Sequence, residues 1–68
     1  MALTLEEKRV IIGQRIGQAE RELYINELNL KLYTATNADL NQLNFINNEI
    51  EKQRAILVVL EQEANSLA

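Results

Sequence analysis

Leu30-Lys31-Leu32-Tyr33-Thr34-Ala35-Thr36-Asn37-Ala38-Asp39-Leu40-Asn41-Gln42-Leu43 is the stretch in which one apolar seam stops and another starts. Upstream, Leu5, Ile12, Ile16, Ala19, Leu23, Asn26, Leu30 and Tyr33 recur almost entirely at alternating spacings of four and three. Downstream, Leu43, Ile46, Ile50, Gln53, Leu57, Leu60, Ala64 and Leu67 do the same. A mean repeat of 3.5 residues keeps one face of a helix turned toward a partner, the condition for knobs-into-holes packing. Carried straight on, the first seam would run through Asn37, Leu40, Asn44, Asn47, Glu51 and Arg54, a mostly polar row. The second seam is offset by one position, which matches neither of the insertions a continuous coiled coil absorbs. The chain therefore reverses between the seams, where Thr34 to Asp39 supplies two β-branched residues together with Asn37 and Asp39, which favour caps and turns.

The fold class this predicts is all-α: an antiparallel two-helix hairpin, coiled-coil-like, with helix one over about 5–34, the turn at about 35–38 and helix two over about 39–66. Thr4 with Glu7 three positions on is a capping box, and Glu6 and Glu7 sit at the positive end of the helix dipole. Leu28 to Tyr33 alternates apolar and polar, which is also the mark of a strand. Helix is the better reading, because Leu, Lys and Asn are poor strand formers and the chain offers no second strand to pair with. In an antiparallel hairpin centred near residues 36 and 37, Leu30 faces Leu43, Tyr33 faces Leu40, Leu23 faces Ile50, Ile16 faces Leu57, Ile12 approaches Leu60 and Leu5 approaches Leu67. Asn26 falls opposite Asn47 and Gln53 beside Ala19. Glu20 and Arg54 flank that layer as an edge ion pair, and Arg9 has Glu61 or Glu63 across from it.

A chain of 68 residues is one domain, near the size at which a solitary core supplies only about 3 to 5 kcal/mol without a staple. No Cys and no His are present, so the disulfide and the thiolate or imidazole metal site are missing, and so are the usual nucleophile and base pairs. Oligomerisation is the staple that remains. A 47% hydrophobic content excludes a disordered chain, and 25% charged residues of both signs describe a solvated outer face. The net charge of −3 and pI near 4.8 argue against a partner held by its phosphates. The longest apolar run, Ala55 to Leu60, is far short of a membrane span, and the amino terminus has no signal-peptide core. The expectation is a cytoplasmic accessory protein without cofactor, metal, membrane or small-molecule ligand.

Apolar residues remain after the seams are filled. Ile11, Ile25, Leu28 and Leu32 lie away from the seam of helix one, while Phe45, Ile56 and Val59 widen that of helix two. Leaving half a dozen such side chains in water forgoes about 1.5 to 3 kcal/mol apiece. A second copy is the expected cover, two hairpins making a four-helix bundle, ahead of a different protein. Gly13 and Gly17 are four apart in a predicted helix, where each costs about 1 kcal/mol relative to Ala, and close packing or a bend would account for them. Asn26, Asn47 and Gln53 read as register-setting amides. The pairs Glu20/Glu22, Glu49/Glu51 and Glu61/Glu63 cannot grip one ion, since residues two apart on a helix point roughly 200° away from each other. The function this predicts is a non-enzymatic interaction or structural module acting as a homo-oligomeric hairpin. The alternative is a nucleic-acid-binding regulator using Lys8, Arg9, Arg15 and Arg21 of helix one.

Overall fold

The computed structural model describes residues 2–67. Two helices, α1 (Leu5–Ala35) and α2 (Leu40–Ser66), pack against each other as a hairpin measuring 51 × 20 × 14 Å. α1 starts where Thr4 ends an extended segment. The Thr4 hydroxyl accepts from the Glu7 backbone N–H at 3.1 Å, and the Glu7 carboxylate accepts from the Thr4 N–H at 3.2 Å. Two of the four orphaned donors of the first turn are thereby satisfied. Leu28 to Tyr33 is helical throughout. The seam that binds α1 to α2 overrides the local alternation, since the helix turns Leu30 toward α2, where it is half-buried.

The turn is built by Asn37. Its φ of 58° makes it the single non-glycine residue in the left-handed region among the described residues. The Ala38 N–H donates to the Tyr33 carbonyl at 2.9 Å and the Asn37 N–H to the Thr34 carbonyl at 3.3 Å, the paired bonds of a Schellman motif. One residue later Asp39 opens α2, its carboxylate accepting from the Gln42 N–H at 2.9 Å. Asn tolerates the left-handed conformation better than any residue but Gly. Asn37→Ala is therefore expected to lower the stability of the hairpin by about 1 kcal/mol, whereas Asn37→Gly leaves it equal or slightly raised. Urea unfolding followed by helical circular dichroism reads both.

Because α1 extends to Ala35 and Asp39 is spent as a cap, the fold-back centres between Asn37 and Ala38, one residue later than the seam matching predicts. Every facing position on α2 moves by two residues. Leu67 accordingly lies in a groove with Arg9 and Ile12 instead of beside Leu5. Leu5 is left 47% exposed, because α2 ends before it could cover that level. Leu40, expected opposite Tyr33, is exposed at the first position of α2, and Tyr33 is itself 40% exposed at the last turn of α1.

Two predicted ion pairs are corrected by side-chain direction. Arg54 reaches Glu27, with its Nη2 4.0 Å from Oε2, and not Glu20. Helical side chains lean toward their own N-terminus, so in an antiparallel pair Arg54 leans toward the loop and α1 side chains lean away from it. Glu27, one heptad nearer the loop than Glu20, converges with Arg54; Glu20 diverges. Both partners are largely solvated, so the contact contributes at most a few tenths of a kcal/mol. By the same lean Arg9 moves away from Glu61 and Glu63 and donates from Nη2 to the Leu67 carbonyl at 3.1 Å. α2 has no basic residue in its last turn, and Arg9 supplies a cation there from the other helix.

Candidate interaction surface

The interior of the hairpin is thin. Ile12 and Ala19 from α1 and Ile46 and Ile50 from α2 are buried, and among the described residues no side chain is wholly sealed from solvent. Ile16, Leu23, Asn26 and Leu30 on α1, with Leu43, Gln53, Leu57, Leu60 and Ala64 on α2 and Leu67 at its C-terminal cap, are half-buried along the same seam. A pair of helices covers one stripe of each and leaves the flanks of that stripe open, which is why most seam residues stop at half burial.

The amides do not form a buried polar layer. Asn47 is exposed and no polar or charged side chain is buried among the described residues. Its position is displaced by the later fold-back, and Asn26 opens instead into a groove of about 450 Å³ with Asn29, Tyr33 and Phe45. Gln53 and Ala19 both line a second groove of about 430 Å³, shared with Arg15, Glu22 and Ile56. Residues 15, 18, 22, 26, 29 and 33 are three and four apart, so both grooves run along one side of the hairpin. The opposite side carries Arg54 with Glu27 and the smaller groove of Arg9, Ile12, Gly13 and Leu67, about 310 Å³.

The candidate surface residues are all open to solvent to a substantial degree. Ile11, Ile25, Leu28, Leu32, Phe45, Ile56 and Val59 are exposed, Phe45 to 65% and Val59 to 62%. Gly13 is exposed and Gly17 half-buried, and a Cβ added to either would meet nothing within 4 Å. α1 runs unbroken through both, so neither packing against α2 nor a break in the helix accounts for them. The structure divides the surface in two: Tyr24, Ile25, Leu28 and Leu32 on the side of α1 away from α2, and Phe45, Ile56 and Val59 along a flank of α2. Against the latter lies a depression whose lining is Lys52, Ala55, Ile56, Val59 and Leu60.

Sequence reading missed Leu3, Val10, Tyr24 and Val58 as exposed apolar residues. A signal for three of them was present: Leu3, Val10, Gly17 and Tyr24 are each seven apart, a second heptad row behind the main seam.

Among the described residues no three acidic, histidine or cysteine side chains are placed to hold a metal ion, and no helix is long and apolar enough to cross a membrane. No protein-family model matches the chain, and no curated protein or solved structure matches it either.

Proposed function

We infer that the protein is a non-enzymatic interaction module: a helical hairpin that associates with a second copy of itself and presents the remaining helical surface to other proteins. One observation carries this reading. Fourteen large apolar side chains are exposed among the described residues, against four buried apolar residues. The accessible surface is 5388 Å². A compact monomer of 7.8 kDa would expose about 4400 Å². The excess of roughly 1000 Å² is close to what one partner contributes to an interface of standard size, about 800 Å². Elongation explains the excess in geometric terms, since two rods side by side have little interior, and association is what would remove it.

Nucleic-acid binding through α1 finds less support. Arg9 is engaged with the Leu67 carbonyl, and at 100° per residue Lys8, Arg9, Arg15 and Arg21 spread around the helix instead of forming one row.

Sedimentation equilibrium over 1 to 100 μM is expected to give twice the chain mass of 7.8 kDa, with thermal unfolding midpoints that rise with concentration. A fully helical species of single-chain mass across that range would overturn the reading.

A further inference from the structure

We propose that the second copy docks on the flank of α2, with α2 antiparallel to the partner's α2 about a two-fold axis near residues 50 and 51. This rests on the self-association inferred above and adds the face and the pairing. Phe45, Glu49, Lys52, Ile56, Val59 and Glu63 follow one another at spacings of four, three, four, three and four, so they form one row beside the main seam. Within that row the order from Phe45 to Ile56 is apolar, acid, base, apolar. A two-fold axis between Glu49 and Lys52 reverses the order and returns it to register with itself: each Glu49 meets the partner's Lys52, and each Phe45 meets the partner's Ile56. A two-fold interface between identical copies must be self-complementary in this way.

The row is free to be used. Phe45 and Val59 are among the most exposed large apolar side chains, Lys52 is exposed and Glu49 is half-buried, and neither charge is engaged in an ion pair among the described residues. Beside the row, the Lys52, Ala55 and Val59 depression is nearly all apolar and offers room for the partner's Phe45. The outer side of α1 lacks this property. Its row of Gln14, Gln18, Arg21, Ile25, Leu28 and Leu32 holds one charge and no acid to answer it across an axis.

Charge reversal tests the pairing on the full chain at low salt, where surface charges are least screened. Glu49→Lys alone, or Lys52→Glu alone, sets like charges against each other twice per dimer, and each is expected to raise the dissociation constant roughly tenfold. Combining E49K with K52E restores opposite charges and is expected to return the constant to within about threefold of the parent. Sedimentation gives the constants, and circular dichroism confirms that each variant keeps its helices. Single reversals that leave the dimer unaffected, or that weaken it without restoration in the double variant, overturn the α2 docking while the self-association stands. A parent chain that sediments as a helical monomer overturns both and leaves the row to a different protein.

Discussion

Truncating Ile50 to Ala is expected to unfold a large share of the protein at room temperature. Ile50 is 5% exposed and sits one turn after Ile46, also 5%, so the two make the centre of the α2 contribution to the interior. Removing buried aliphatic carbons costs their transfer free energy plus a term for the space left behind, together about 2 to 4 kcal/mol for Ile to Ala. A chain of this size holds only about 3 to 5 kcal/mol in all, so the loss takes most of what there is. Val58→Ala removes apolar carbons from a position 52% exposed and outside the Phe45 to Val59 row, and its effect is expected to stay within about 0.5 kcal/mol. Urea titrations of both variants and the parent at matched concentration separate the cases. A cost below about 1 kcal/mol for Ile50→Ala would mean that the α1 and α2 seam is not what holds the helices.

Ile50 also shows how far periodicity reaches. The two seams name residues by spacing alone, and what spacing encodes is the direction of each side chain around the helix axis, so helix type and the facing stripes are legible wherever the repeat is long. The axial register is not encoded that way. It depends on how many residues the turn consumes, and here a left-handed Asn37 followed directly by an Asp39 cap shifts the fold-back by one residue. Asp39 with Gln42 three positions on was a readable cap signal, and using it would have moved the start of α2 to Leu40. The ion pairs failed for a further reason. Facing positions were matched by level, whereas long side chains lean along the axis, and that lean decides between Glu20 and Glu27 for Arg54. As for the candidate surface, its residues are legible as leftovers once the seam is assigned. Pairing between copies depends on the order of charge along a row, which composition does not reveal.

Replacing Gly13 and Gly17 together by Ala is expected to stabilise the protein. Both lie inside α1 with no positive φ, and an added Cβ at either finds open space within 4 Å. Nothing in the hairpin then requires glycine, and each substitution recovers the backbone entropy that glycine loses in a helix, about 0.5 to 1 kcal/mol. The pair should gain about 1 to 2 kcal/mol, which for a domain this small raises the unfolding midpoint by roughly 5 to 10 °C. The same variant separates two faces for association. With copies joined through the Phe45 to Val59 row of α2, the dissociation constant should not move, because the glycines face elsewhere. If instead a second backbone approaches α1 closely at these positions, two methyl groups would hold it off, and the dimer would weaken while the isolated hairpin gained helix. Thermal unfolding at two concentrations tells these apart. A midpoint that rises at both is the expected result, and one that rises only in dilute solution would place the interface on the glycine side of α1.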